Sequence, residues 1–212
     1  VSLAIPPQSD VATVEALYRG IARTFAKASL SIVGGNITSI DGPFVIDITL
    51  GGEVKAGCAV SRQGSQPGDW IGVTGYPGSS GAGLFCLDHE EECDPFLMQS
   101  LIGSYLYPTS RLAEAQLMGP YVHAMTDISD GFLFDLNNLL EASGVGATLE
   151  EERLPIRQNL IQLAKQIGCS TLDFVFAPSD DYELLLTAAP EEIETIESIL
   201  SLQKKTKIRW IG

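Results

Sequence analysis

The segment Thr126-Asp127-Ile128-Ser129-Asp130-Gly131-Phe132-Leu133-Phe134-Asp135-Leu136 constrains the fold of this chain more than any other, because it bends a strand into a helix with two carboxylates and a hydroxyl at the corner. Ala124 to Ile128 is short and apolar, which suits a buried strand. Beyond Gly131, Phe132, Leu133, Leu136, Leu139 and Leu140 recur at helical spacing up to the stop signal Ser143-Gly144. Asp127, Ser129 and Asp130 therefore gather in one turn. Free N–H groups at a helix N-terminus suit phosphate oxygens, and aspartate oxygens suit Mg²⁺, so the turn is a candidate metal and nucleotide site. Ser and Asp are also common helix caps, and on the turn alone a capping role for Ser129 or Asp130 is an equally good reading.

Charge narrows the partners. Against 27 Asp and Glu stand 13 Lys and Arg, a formal charge of −14, so a nucleic-acid backbone would be repelled. A phosphorylated substrate would need metal ions and backbone N–H groups to offset its charge. No apolar run approaches the roughly 20 residues of a membrane span, and Val1-Ser2-Leu3-Ala4-Ile5-Pro6-Pro7 lacks the basic region of a signal peptide, so the cytoplasm is the expected location. Cys58, Cys86, Cys93 and Cys169 are scattered without metal-ligand spacing and are expected to be reduced, structural thiols.

Along the chain, Ser9 or Asp10 can cap a helix in which Val11, Val14, Leu17, Ile21 and Phe25 form one apolar stripe. Leu30 to Val33 reads as a strand, and the alternation from Phe44 to Leu50 as a half-buried one. The Gly and Pro content of Arg62 to Asp69 marks a domain junction, after which Trp70 to Thr74 is the next strand. Helical patterns follow at Pro95 to Tyr105 and Arg111 to Leu117. Further on come a strand near Ala147 to Glu150, a helix from Arg157 to Ile167, a strand from Tyr182 to Thr187, a helix opened by Pro190 and a strand at Ile208 to Ile211. Helices and strands mix without strict alternation, which predicts an α+β fold.

Other motifs are weaker. Gly75 to Leu84 follows a strand and is glycine-rich, a setting in which bare backbone can approach an anion, yet it matches neither the Walker A loop nor the GxSxG elbow. The acidic run Asp88 to Asp94 reads as a solvated loop. Ser179-Asp180-Asp181-Tyr182-Glu183 could face a cleft, although turn formation by Ser and Asp explains it almost as well.

Taken in order, these segments resemble the thiamine-monophosphate kinase family, part of a superfamily that also contains aminoimidazole ribonucleotide (AIR) synthase. Ile32-Val33-Gly34-Gly35-Asn36 resembles the family's Val-Gly-Gly-Asp, and Ser61-Arg62 through Gly75 its Arg-x-Gly-Ala-x-x-Gly-Asp segment and strand. Asp127 to Gly131, with Ser143 to Ala147 and Leu154-Pro155, is close to its most specific signature, and Asp181-Tyr182-Glu183-Leu184-Leu185 matches the end of its Gly-Gly-Glu-Asp-Tyr-Glu-Leu motif.

The resemblance implies an AIR synthase-like two-domain fold, with residues 1–62 part of an N-terminal domain and 63–212 most of a C-terminal one. It implies ATP- and Mg²⁺-dependent phosphorylation of thiamine monophosphate by a homodimer, without nucleic acid or membrane as partner. Alternatives are a relative acting on another small substrate and a non-catalytic nucleotide-binding member. By the same analogy Asp127 and Asp130 are catalytic metal ligands and Asn36 is a third metal ligand. Ser129 and Arg62 contact ATP, Gly35 and Asn36 lie on the nucleotide side, and Asp180 approaches the thiamine moiety. Asn36 stands where the family has an aspartate, and Pro178-Ser179-Asp180 where it has Gly-Gly-Glu. The resemblance also implies a fragment, without the family's upstream Gly-Asp-Asp segment or its C-terminal aromatic contact.

Overall fold

The computed structural model describes residues 1–212, which divide into two compact units, Val1–Val54 and Lys55–Gly212. In the first, β1 (Ser2–Ile5) is the middle strand of three, parallel to β2 (Asn36–Ser39) and antiparallel to β3 (Val45–Asp47). Helix α1 (Val11–Lys27) connects β1 to β2, and Asp10 caps it by accepting the Thr13 N–H at 2.6 Å. Its apolar stripe is only partly covered, for Ile21 is buried and Val11 is 73% exposed.

Two strand expectations in this unit are corrected. Leu30 to Val33 forms no strand: the chain leaves α1 through Ser29 at φ 55°, Leu30 N–H bonds back to the Phe25 carbonyl, and pairing with β1 starts only at Asn36. The alternating run Phe44 to Leu50 supplies three paired residues, and Ile46, Ile48 and Leu50 are exposed rather than half-buried. Alternation fixes which side chains share a face, but β3 is an edge strand and nothing within its unit covers that face.

The second unit runs β4 (Trp70–Thr74), α2 (Ser79–Asp88), α3 (Pro95–Leu106), α4 (Leu112–Met118), β5 (Ala124–Asp127), α5 (Phe132–Ser143), α6 (Gln158–Ile167), α7 (Thr171–Val175), β6 (Leu184–Ala188), α8 (Ile193–Leu202) and β7 (Ile208–Trp210). Its strands form an antiparallel sheet in the order β5-β6-β4-β7, and the α+β expectation holds. Successive side chains of a strand point to opposite faces, so β6 feeds two layers. Leu185 joins Ile71, Val73, Phe132, Leu136 and Leu160 on one side, while Leu184, Leu186 and Ala188 pack with Met118, Ile196 and Leu200 on the other. That double burial is why β6 is apolar without alternation.

Ala147 to Glu150 is not a strand; its tie to β7's end is one bond, from Glu150 N–H to the Ile211 carbonyl at 2.8 Å. The glycine-rich segment is also not an open loop. From Ser79 it is α2, and Gly83 sits where α2 crosses α3, so that a side chain there would run into the Leu101 carbonyl. Short α7, which periodicity misses, is set by a capping box of Ser170 and Asp173. The acidic run contributes an exposed single turn at Glu90–Glu92. No helix is long and apolar enough to cross a membrane.

Candidate active site

Strand β5 ends at Asp127, and α5 begins at Phe132. Neither Ser129 nor Asp130 caps that helix, because Gly131 occupies the cap position. The turn is held from inside the helix instead. Asp135, 1% exposed, aims one carboxylate oxygen at the N–H groups of Ser129 and Asp130, at 2.9 and 3.0 Å. These two N–H groups are therefore taken and do not offer themselves to a phosphate. Asp127 and Asp130 are exposed, and their carboxylates enter no hydrogen bond or ion pair.

Gly131 presses the turn against a second segment. Its φ is 129°, and an added Cβ would lie 3.0 Å from the Ala177 carbonyl oxygen, so only glycine fits without displacement. The two motifs are also zipped together by backbone. Asp127 pairs with Leu184, Ile128 N–H donates to the Glu183 carbonyl, and Tyr182 N–H donates to the Ile128 carbonyl, both at 2.8 Å. Tyr182 adopts φ 50°, uncommon for a residue with a side chain. Burial first, and then the charges of Asp180, Asp127 and Asp130, push its hydroxyl above the ordinary tyrosine range. Three carboxylates thus share one neighbourhood.

Ser129, Asp130 and Asp180 line one cavity of about 260 Å³ together with Ser80, Leu84 and Tyr105. Arg62 donates from Nε to Thr126 Oγ1 at 3.1 Å, which sets its guanidinium beside the strand that delivers Asp127. Gly35 and Asn36 belong to the first unit. Asn36 opens β2, is exposed, and donates its N–H to the Val1 carbonyl at 3.1 Å, and a side chain at Gly35 would run into that same carbonyl.

Mg²⁺ fits the donor set of the turn. Asp127 and Asp130 offer hard, unshared oxygens in a region whose negative charge no basic side chain neutralises by ion pairing. No group of three His, Cys, Asp or Glu side chains forms a ready cage.

Behind these exposed groups lies a buried scaffold. Asp181 accepts the N–H groups of Gly78 and Ser80 at 2.7 and 2.9 Å and the Ser179 hydroxyl at 2.7 Å, fastening the motif to the N-terminus of α2. Burial nevertheless pushes its carboxyl up. Glu183 takes Arg111 Nε at 2.6 Å, Arg111 Nη2 at 2.7 Å and the Thr74 hydroxyl at 2.6 Å.

Comparison with known proteins places the fold in a family. The C-terminal domain of AIR synthase related protein matches residues 66–212, more than half of the chain. The chain belongs to the AIR synthase related family. It is 34% identical over 200 residues to thiamine-monophosphate kinase of Rhodopirellula baltica, covering 93% of this chain and 56% of that protein. It is also 34% identical over 192 residues to the Aquifex aeolicus enzyme of the same name, covering 90% and 61%. The solved structure of AaThiL complexed with AMPPCP and TMP superposes with a TM-score of 0.81 at 28% identity, over all of this chain and 64% of that one. The chain thus spans less than two thirds of these relatives, and AIR synthase-like architecture is shown for what it spans.

Within this AIR synthase related domain, sequence reasoning missed Asp135. Its signal is a carboxylate on the apolar face, three residues after Phe132 and next to Leu136, where charge is out of place. Replacing it by Ala strands two turn N–H groups. We expect Asp135→Ala to lower stability by about 1–3 kcal/mol and to weaken nucleotide binding, whereas Asp135→Asn, which keeps one acceptor oxygen, recovers most of both. Urea unfolding and nucleotide titration of the two variants check this.

Proposed function

We propose that the intact protein transfers the terminal phosphoryl group of ATP to thiamine monophosphate, giving thiamine diphosphate. The observation that carries this reading is the grouping of unpaired Asp127, Asp130 and Asp180 around Tyr182, with Asp130 and Asp180 lining a hydroxyl-bearing cavity, in a chain whose relatives are named for that reaction. Asp127 and Asp130 would hold Mg²⁺, and the ion when bound supplies neutralisation of the charge that develops on the transferred phosphoryl group. Ser129 and Arg62 bind ATP. Asp180 orients the thiamine moiety. No side chain is needed as a covalent nucleophile, because an acceptor phosphate aligned with the donor attacks directly, and the protein's contribution is alignment and electrostatics.

Asp180 is one methylene shorter than the glutamate of the family pattern, so it reaches less far, and Ser179 is tied to Asp181 rather than free for substrate. Incubating the intact protein with MgATP and a panel of small phosphorylated acceptors tests the assignment. ADP formed only with thiamine monophosphate supports it. ADP formed with another acceptor moves the substrate within the family, and ATP bound without ADP release under any acceptor makes this a nucleotide-binding relative.

The same reading includes a homodimer. Ile37 and Ile46, on one face of the three-stranded sheet, and Ile48 and Leu50 just beyond β3 expose 44% or more of their surface, an apolar set suited to a second copy. Light scattering of the intact protein at micromolar concentration is expected to give a dimer mass, and Ile46→Asp to shift it towards monomer. A monomeric wild type would contradict the dimer.

A further inference from the structure

A second cavity, of about 240 Å³, lies at the N-terminal end of α2 beside α3 and shares no lining residue with the cavity of Ser129, Asp130 and Asp180. Its charged lining consists of Arg111, Arg157, Asp181 and Glu183. Three of these are spoken for. Glu183 and Arg111 hold each other through two bonds of 2.6 and 2.7 Å, and Asp181 is saturated by two N–H groups and a hydroxyl. Arg157 is different: it makes no ion pair. Its guanidinium stacks 5.1 Å above the Tyr76 ring centroid and one nitrogen, Nη1, donates to Ser104 Oγ at 2.9 Å, which fixes its plane and leaves other N–H groups unused.

Ser79 supplies an independent sign. It is 4% exposed, lines the cavity, and its hydroxyl has no hydrogen-bond partner. A buried hydroxyl left unsatisfied is costly, and native proteins keep few of them. A positioned guanidinium without an ion pair and an unpartnered hydroxyl buried in the wall of the same polar cavity are complementary to an oxyanion, which accepts from both. The rest of the lining, including Ser100, Tyr107 and Thr109, is hydroxyl-rich and suits a polar body attached to that head.

We propose that this cavity binds the oxyanion head, phosphoryl or carboxylate, of a small polar metabolite, with Arg157 as its counter-charge and the Ser79 hydroxyl as a buried donor. The site stands apart from the phosphoryl-transfer reading and requires no metal. The test is thermal melting of the intact protein in metal-free buffer with increasing inorganic phosphate or, separately, acetate, each against chloride at equal ionic strength. One of the two anions should raise the melting temperature of wild type, phosphate identifying a phosphoryl head and acetate a carboxylate head.

Arg157→Gln and Ser79→Ala should each weaken the apparent affinity about tenfold, while Lys165→Gln, at an exposed cation outside both cavities, keeps it. Ser79→Ala guards against a folding artefact, since removing an unpartnered hydroxyl should leave the ligand-free melting temperature unchanged or slightly raised. The proposal is overturned if neither anion stabilises wild type beyond chloride, or if either cavity variant retains the full response.

Discussion

Asp127→Asn and Asp130→Asn should each lower ADP formation by roughly 10²–10³-fold, the scale on which a single preorganised electrostatic contact to a transition state counts, while changing stability by less than about 0.5 kcal/mol. The separation follows from the geometry. Both carboxylates are exposed and make no bond within the protein, so nothing in the fold depends on their charge. The turn is held by Asp135, by Gly131 against Ala177 and by the backbone pairing of Ile128 with Tyr182 and Glu183. What each substitution removes is one negative charge from a group of three around Tyr182, and with it part of the attraction for a divalent cation. Titration calorimetry with ATP should show the loss with Mg²⁺ present and little change without it. Variants that keep the metal dependence of wild type would return Asp127 and Asp130 to the role of solvated turn residues.

Glu183→Ala is expected to have the largest effect on stability, about 3–5 kcal/mol, because it leaves Arg111 charged inside the protein. Arg111 and Glu183 expose only 13% and 14% of their side chains. Burial works against the guanidinium, but the hydrogen bonds and charge of Glu183, helped by Glu114 at 3.7 Å, outweigh it and raise the Arg111 pKa. Arg111 also donates from Nη1 to Thr206 Oγ1 at 2.5 Å, so one guanidinium ties β6's approach to the loop before β7. In a domain of this size each kcal/mol moves the melting temperature by about 2–4 °C, and the loss should be plain in a calorimetric scan. Breaking the cluster differs from replacing it: Arg111→Met with Glu183→Leu and Glu114→Leu removes all three charges and should recover most of the loss. A melting temperature unchanged in Glu183→Ala would mean that water solvates Arg111 and that the pair does not carry this corner of the fold.

What the sequence makes legible here follows from periodicity. At Asp127 the apolar pattern switches abruptly from strand to helix, and the observed β5, turn and α5 follow it closely. Strand β6 was readable from Leu184-Leu185-Leu186 because an apolar run too short for a helix suits a strand covered on both faces. The failures are of another kind. Leu30 to Val33 has strand composition, but a strand exists only where a partner is in register, and β1 pairs with Asn36–Ser39 instead. Ser2–Ile5 is the central strand of its sheet yet carries no period of its own. The buried roles of Asp135, Asp181 and Glu183 depend on which N–H groups and cations the fold brings within reach, information absent from local sequence. The packing role of Gly83 is hidden for the same reason, its partner being the Leu101 carbonyl of another helix. Ser129 and Asp130 were legible from the strand-to-helix turn and Asp180 from motif resemblance, and β5–β6 pairing brings their segments together.

Phosphoryl transfer to thiamine monophosphate by the intact protein is read from the identity of its products. The protein is incubated with MgATP and thiamine monophosphate, and the products are followed by ³¹P NMR. The diphosphate resonances of thiamine diphosphate should grow in step with those of ADP, with no such growth when Mg²⁺ is chelated or when Asp127→Asn replaces wild type. Inorganic phosphate appearing with ADP while thiamine monophosphate stays intact, or ATP remaining unchanged beside it, would contradict the account.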